Sequence, residues 1–352
     1  MNEPLAAEQD AREVERWIAA RLFAGSSAQA VVDHLVAIGH ADAAAGALVE
    51  AVQRSPAYEV AGPLLERKRK FEALLLLHGD LWARSEEAAG PREVRSLDHA
   101  GFRELVLRNV PVVVRGAAAD WPALERWQPQ RLATEFGSVP VDYMTGPREV
   151  DLPEELAQRT RRTTLAAFVH ELTARPVSND LYIVARNFSL RQPALRPLLE
   201  DVRPPDFLDL GEEWTQYARL WLGPRGTLTP LHHDLMPNVF VQVVGRKRFI
   251  MVHPAFTPLV PNPRGVYSDS DPLTWPQDPV LANVPRYDFT LFPGDLLYIP
   301  PAWWHWVFAR SVSVSLSLTG FPLEGTKVAW EASGVAPLVG LQPPVRERAP
   351  AC

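Results

Sequence analysis

Proline placement constrains this sequence more tightly than any other feature. Of its 34 prolines only Pro4, Pro56 and Pro63 precede residue 91, and of its 11 tryptophans only Trp17 and Trp82 do. Proline locks φ and lacks a backbone donor, so it collects in turns and at strand ends and is excluded from helix and sheet interiors. Long helices are therefore expected in the first quarter, and short extended runs joined by turns in the rest. High proline content by itself suggests linkers or disorder. Here abundant Trp and the lack of low-complexity repeats point instead to folded structure rich in turns.

Residues 1–90 read as a helical region. Val14, Trp17, Ile18 and Leu22 recur at helical spacing, and Gly25 with Ser26 and Ser27 supplies a stop and a new cap. Val31, Val32, Leu35, Val36 and Ile38 form the next stripe, ended by Gly39, and a third helix spans about 43–53. A fourth is predicted over 63–82, with Leu64, Phe71, Leu74, Leu75, Leu81 and Trp82 facing inward. The basic run Glu66-Arg67-Lys68-Arg69-Lys70 on that helix reads as a solvated face, because neighbouring acids cancel its charge.

From residue 91 the pattern changes to short β-rich runs separated by Pro, Gly, Asn and Asp. Strands are predicted at 110–115, 181–186, 217–222, 239–244, 248–253, 289–292, 296–299, 304–308 and 312–318, with helices near 122–136 and 164–173. Without regular βαβ alternation, such a series indicates an antiparallel sandwich or barrel. Three regions follow: helical 1–90, a β domain 91–320 and a C-terminal extension 321–352. The long segment 254–288 between two strands, with Tyr267, Trp275 and Tyr287, reads as a substrate loop. Its acids Asp269, Asp271 and Asp288 suggest a basic substrate group, against the simpler reading as solvated loop acids.

The formal net charge of −6 gives no support to nucleic acid as a bulk electrostatic partner. No apolar run is long enough to span a bilayer, and Met1-Asn2-Glu3-Pro4 does not open a secretory signal. A single Cys, Cys352, excludes a disulfide scaffold and a Cys-based zinc site and fits a reducing compartment. The expectation is a cytoplasmic protein acting without membrane or nucleic acid. The N-terminal helices would dock substrate, mediate homodimerisation or cover the barrel.

The sharpest chemical feature is Thr229-Pro230-Leu231-His232-His233-Asp234. Residues i and i+2 of a strand share a face, so His232 and Asp234 can aim an imidazole and a carboxylate at one point while His233 points away. A further histidine, His305, follows the turn Pro293-Gly294-Asp295 within Pro300-Pro301-Ala302-Trp303-Trp304-His305. Two imidazoles and a carboxylate make the facial triad of non-haem Fe(II) oxygenases, which leaves coordination positions open.

The surrounding residues carry a family resemblance. Trp221-Leu222-Gly223-Pro224-Arg225-Gly226-Thr227, Thr229 to Asp234, Asn238 and Gly245-Arg246-Lys247 are similar to the JmjC oxygenases. So are Phe292-Pro293-Gly294-Asp295-Leu296-Leu297-Tyr298-Ile299-Pro300 and the upstream Val110-to-Gly116 and Asp120-Trp121-Pro122 segments. The likeness runs over about residues 93–320 and is greatest to the hydroxylase branch typified by the asparaginyl hydroxylase of hypoxia-inducible factor. Thr229, Asn238 and Lys247 stand three before, six after and fifteen after His232, as that branch requires.

The resemblance implies a mainly β fold, a double-stranded β-helix (jelly roll, cupin-like JmjC) preceded by the α-helical region. It implies Fe(II) held by His232, Asp234 and His305, with 2-oxoglutarate and O2 as co-substrates. Lys247, Thr229 and Tyr182 would bind the far carboxylate of 2-oxoglutarate, Asn238 would lie near the metal-side carboxylate, and Ser317 would orient ligands from behind. The implied activity is hydroxylation of a protein or peptide side chain, with 2-oxoglutarate converted to succinate. N-methyl-lysine demethylation, a small-molecule or carrier-bound amino-acid substrate, and a non-catalytic cupin-like binding protein are the alternatives. Outside the resemblance, Lys247 reads as a turn lysine, Asn238 as a turn residue and the serines 311–317 as the polar face of an edge strand. Trp303, Trp304 and Trp306 read as packing residues, and His233 and His253 as structural.

Overall fold

The computed structural model describes residues 3–146, 158–262 and 266–323. The expected C-terminal extension therefore lies almost wholly outside the described residues, as does Cys352. The chain divides into two compact units, Met1–Leu77 and His78–Cys352.

Helices α1 (Glu3–Phe23), α2 (Ala28–Ala37) and α3 (Asp42–Gln53), with most of α4 (Pro56–Ala83), make the first unit. The Ser27 side chain caps α2 by accepting from the Ala30 N–H. Ile18, Leu22, Val31, Leu35, Val49 and Val52 form the core of this unit. Two expectations for the fourth helix need correction. It starts at Pro56 and runs through Pro63, which costs a single helical hydrogen bond near its beginning. Its apolar residues Leu64, Phe71, Leu74, Leu75 and Leu81 are 42–62% exposed rather than inward. The first three helices fill their own core among themselves, so helical spacing of apolar residues on the fourth did not guarantee a partner. Trp82 alone of that set packs inward, stacked on His253.

The second unit is built on two sheets. Their strands are β1 (Arg92–Val94), β2 (Val112–Val114), β5 (Ala218–Gly223), β6 (Leu228–His233), β7 (Asn238–Val244) and β8 (Lys247–Val252), then β9 (Arg286–Leu291), β10 (Leu296–Ile299), β11 (Trp304–Ala309) and β12 (Ser313–Thr319), with a separate hairpin of β3 (Pro140–Met144) and β4 (Thr160–Thr164). One sheet runs β1-β2-β10-β7-β12-β5 and the other β6-β11-β8-β9. All pairings are antiparallel except β1 with β2. This is the jelly roll expected of a cupin-like domain. The predicted strand at 181–186 is reduced to single bridges, Tyr182 to Met144 and Ile183 to Leu222. Asn187 explains why it stops: its side-chain carbonyl accepts the Val184 N–H and diverts the backbone into a 3-10 turn over Ala185–Asn187.

Strand alternation sorts residues between two cores. Val239, Val241, Leu316, Leu318, Leu220 and Leu222 face outward, into a core shared with α5 (His99–Leu107), α6 (Ala123–Arg126), α7 (Pro129–Glu135) and α8 (Leu165–Ala174). Phe240, Leu297, Ile299, Phe249, Met251, Trp303 and Val307 fill the space between the sheets. Ser313, Ser315 and Ser317 are buried on β12, which lies between β7 and β5 and is no edge strand. The Gln242 amide donates to Ser313, and its carbonyl accepts from Ser315. Asp295 ties the sheet to its first segment. It accepts from Arg115 and from the Gly116 and Phe292 backbone N–H groups, so the Pro-Gly-Asp turn and the 110–116 segment hold each other.

Two outcomes test this framework. At Gly245, between β7 and β8, φ is +77° and an added Cβ would meet the Val312 carbonyl oxygen at 2.0 Å. Gly245→Ala is expected to destabilise the fold by about 2–4 kcal/mol in urea unfolding. His253 stacks on Trp82, meets Trp303 edge-on and accepts the Ala255 N–H through Nδ1, and burial lowers its pKa to about 4. With the folded pKa below the unfolded value, its stabilisation is present above pH 6.5 and lost as the pH falls toward 4. Compared with His253→Gln, the wild-type chain should lose on the order of 1–2 kcal/mol more between pH 7 and pH 4.5, allowing for its partial exposure.

Candidate metal centre and its cleft

Two strands and one irregularity build the site. His305 on β11 is paired with His232 on β6, and Val307 with Thr229. Between these pairs β6 has one more residue than β11, a bulge at Pro230 and Leu231. Without it, residues three apart would face opposite sides; with it, Thr229 and His232 share the inner face with His305. Proline is tolerated there because a bulge leaves a position outside the ladder.

The ligating atoms of His232, Asp234 and His305 all lie within 4.8 Å of one another. The two rings are 4.0 Å apart, and His305 Nε2 is 3.8 Å from Asp234 Oδ2. Each imidazole is oriented by its own backbone: Nδ1 of His232 lies 2.8 Å from the Pro230 carbonyl, and Nδ1 of His305 lies 2.9 Å from the Trp303 carbonyl. A carbonyl only accepts, so both Nδ1 atoms carry the proton, and both Nε2 lone pairs are left for a metal. Burial lowers both pKa values, that of His305 to about 4 with the adjoining His232 contributing, so both rings are neutral ligands at pH 7. Asp234 is held by its backbone, whose carbonyl accepts the Ala302 N–H, and its side chain is one-third exposed toward the cleft. Ala302 takes a left-handed conformation (φ 67°) in the turn that delivers His305.

The other predicted residues fall into two groups. Lys247 is 1% exposed on the inner face of β8; its ammonium donates to the Tyr182 hydroxyl at 2.8 Å and lies 5.0–5.6 Å from the ring centres of Tyr182, Trp221 and Phe240. It is not an exposed turn lysine. Thr229 and Asn238 line the same cleft as His232 and Asp234. Asn238 is buried, and its side-chain carbonyl has no hydrogen-bond partner among the described residues. That orphaned acceptor beside two metal-ready imidazoles and a carboxylate fits a bound group whose atoms would complete it. Ser317 is buried on β12, where it accepts from the Trp221 indole N–H at 2.9 Å and from the Thr319 hydroxyl at 3.3 Å, and so holds two residues of the cleft wall.

The cleft encloses about 490 Å³ and includes Phe188, Arg191 and Arg219, which the sequence motifs did not assign to the site, together with Trp221 from the family motif and Tyr267 from the expected substrate loop. Arg219 was findable, since it shares the inward phase of β5 with Trp221. The long loop brings Tyr267 in as expected: Val266 and Ser268 pair with β6, and the Tyr267 ring stacks on His232 at 5.3 Å. The loop acids do not reach the cleft lining; Asp288 pairs with Arg248, and Asp271 accepts the Leu273 N–H. The expected basic-substrate contact through them is therefore absent from the described site.

Residues 99–319 match the family model of the cupin-like domain. The chain belongs to the cupin-like JmjC family. This cupin-like chain is 30% identical over 222 residues to Jumonji C domain-containing protein 5 of Drosophila melanogaster, covering 59% of this chain and 53% of that protein. It is 31% identical over 231 residues to lysine-specific demethylase JMJ30 of Arabidopsis thaliana, covering 62% and 51%. It is 26% identical over 239 residues to the human bifunctional peptidase and (3S)-lysyl hydroxylase JMJD7, covering 58% and 75%. The chain spans about half the length of the first two. JmjC oxygenases use Fe(II) and 2-oxoglutarate, and the His232–Asp234–His305 arrangement is consistent with iron binding. No helix among the described residues is long and apolar enough to cross a membrane.

If the three side chains form one metal site, His232→Ala should weaken Mn(II) or Fe(II) binding roughly 100-fold or more. Electron paramagnetic resonance titration with Mn(II) measures this, with an unchanged circular dichroism spectrum as the folding control.

Proposed function

We propose that this chain is an Fe(II)- and 2-oxoglutarate-dependent oxygenase that hydroxylates a carbon of a protein or peptide side chain, with residues 91–320 as its catalytic domain. His232, Asp234 and His305 would hold the iron. Bound iron with 2-oxoglutarate and O2 supplies the oxidising power that places one oxygen atom on the substrate carbon, while the other enters succinate and CO2 leaves. The protein's own residues do the positioning. Lys247, with Tyr182 and Thr229, would receive the far carboxylate of 2-oxoglutarate, and Asn238 would donate or accept at the metal-side end. Trp221, held by Ser317, walls the space between them and excludes water.

The observation that carries this reading is the buried Lys247 ammonium on the inner face of the barrel that also holds the triad. Set beside the Tyr182 hydroxyl and three aromatic rings at 1% exposure, it offers a charge-assisted donor for the carboxylate of a bound acid. A protein that only stored a metal has no use for it. Demethylation of N-methyl-lysine is the second reading, favoured by the names of relatives such as lysine-specific demethylase JMJ30. It shares the first chemical step, since a hydroxylated N-methyl group is lost. The arginines in the cleft favour hydroxylation of a different kind of substrate.

Incubation with Fe(II), ascorbate and 2-oxoglutarate is expected to yield succinate, stimulated by substrate from a cell extract and abolished in His232→Ala. Lys247→Met should raise the KM for 2-oxoglutarate by roughly 30–150-fold, the value of about 2–3 kcal/mol for a lost charged contact. Metal binding without any succinate from any substrate pool would support a non-catalytic cupin-like protein instead. Comparative mass spectrometry of extracts treated with wild type or His232→Ala should reveal additions of one oxygen.

A further inference from the structure

Four arginines line the cleft, and two of them make an unusual pair. Arg219 projects from the inner face of β5, and Arg191 from the 3-10 turn Ser189–Arg191. Both guanidiniums pack on the ring of Phe188, at 5.0 and 4.3 Å from its centre. Phe188 itself takes a left-handed backbone conformation (φ 50°), which a bulky residue adopts only where its surroundings dictate it. Arg219 is anchored through one nitrogen only: Nη1 donates to the Gln216 and Ala218 carbonyls, leaving Nε and Nη2 without an acceptor among the described residues.

The pair also lacks counter-charge. Several other guanidiniums of this unit are neutralised: Arg115 by Glu93 and Asp295, Arg126 by Asp201, Arg248 by Asp288. Arg191 and Arg219 meet no carboxylate among the described residues, and they meet as like charges at the cleft, Arg219 half-buried and Arg191 exposed. Burial, and then the neighbouring Arg191 charge, lower the pKa of Arg219. Two cations fixed on one aromatic ring and left open toward a cleft form an anion site.

Its place in the cleft separates it from the 2-oxoglutarate contacts. Arg219 and Trp221 lie on one face of β5, about 7 Å apart along the strand. Trp221 covers Lys247 at the deep end, whereas Arg191 and Arg219 line the cleft with His232 and Asp234. We propose that Arg191 and Arg219 form a carboxylate subsite for the substrate, so that the chain oxidises a molecule bearing an acidic group within reach of the triad. This rests on the oxygenase reading of the site. The planar fork of each guanidinium matches a carboxylate, supplied either by an Asp or Glu of a peptide or by a free acid. A cleft of about 490 Å³ admits one or two side chains rather than a polyanion backbone, and the net charge of −6 disfavours the latter.

The test is binding to the full chain loaded with Mn(II) and 2-oxoglutarate under nitrogen. Fluorescence anisotropy is read with three labelled peptide pools of equal length, enriched in Asp and Glu, in Lys and Arg, or in neutral residues. The acidic pool is expected to bind at least tenfold tighter than the other two, and Arg219→Met or Arg191→Met to remove that preference. Arg219→Glu should turn the preference toward the basic pool, a gain that misfolding cannot produce. Competition by glutamate and by an unlabelled acidic peptide distinguishes the sources: the free acid displaces the probe as well as the peptide does if the substrate is small, and far less well if it is a peptide. Equal binding of all pools, preference for the basic pool, or an unchanged preference in the variants overturns the proposal. Tighter binding of a phosphoserine peptide or an RNA oligonucleotide than of the acidic pool also overturns it. Mn(II) and 2-oxoglutarate binding, measured separately by paramagnetic resonance, shows whether a failure belongs to the oxygenase reading or to this subsite alone.

Discussion

The pairing of β6 with β11 is the interaction on which the rest of the site depends. One extra residue in β6 puts Thr229 and His232 on the same inner face, opposite Val307 and His305. A one-residue slip in an antiparallel pair sends every side chain to the other side of its sheet. Here it would separate the two histidines and turn Thr229 toward the outside. The bulge at Pro230 and Leu231 therefore sets both the metal geometry and the polar contact beside it. Backbone carbonyls then finish the work by holding each imidazole through Nδ1, which leaves Nε2 available.

Around that pair the space between the sheets holds a set of buried polar side chains. Gln242, Ser313 and Ser315 satisfy one another, Ser317 holds Trp221, and Lys247 reaches Tyr182. Buried polar groups are tolerated when each finds a partner, and most of these do. Asn238 leaves an acceptor over in the cleft, where a bound group would meet it. The apolar half of the same interior, Phe240, Phe249, Met251 and Trp303, keeps the sheets together below the site. One end of the barrel thus supplies stability and the other supplies chemistry.

The substrate side of the cleft is set by segments with little regular structure. Phe188 and Arg191 come from 3-10 structure that follows the expected strand at 181–186, and Tyr267 comes from a long loop that adds itself to β6. Neither contribution follows from a periodic pattern, because each is made by chain that is far away in sequence and irregular in backbone. The cationic cleft that results differs from the reading suggested by the loop acids, which are occupied by local partners.

Much of this protein was legible in the residues themselves. Proline placement separated helices from barrel, short β-rich runs located β2, β5 and β7 to β12 but not β1, β3 or β4, and His232, Asp234, His305 and Lys247 were identifiable from spacing and resemblance, because strand periodicity is a local property of the chain. Three matters were decided only by the tertiary structure. The apolar stripe of α4 stays exposed, because burial depends on what else is available to cover it. The alternating serines of β12 are buried, because a strand's place in the sheet order is fixed by its neighbours and not by its own pattern. The pairing of Arg191 and Arg219 on Phe188 required a turn and a strand 28 residues apart to meet, and electrostatic character at a site belongs to that meeting rather than to either segment.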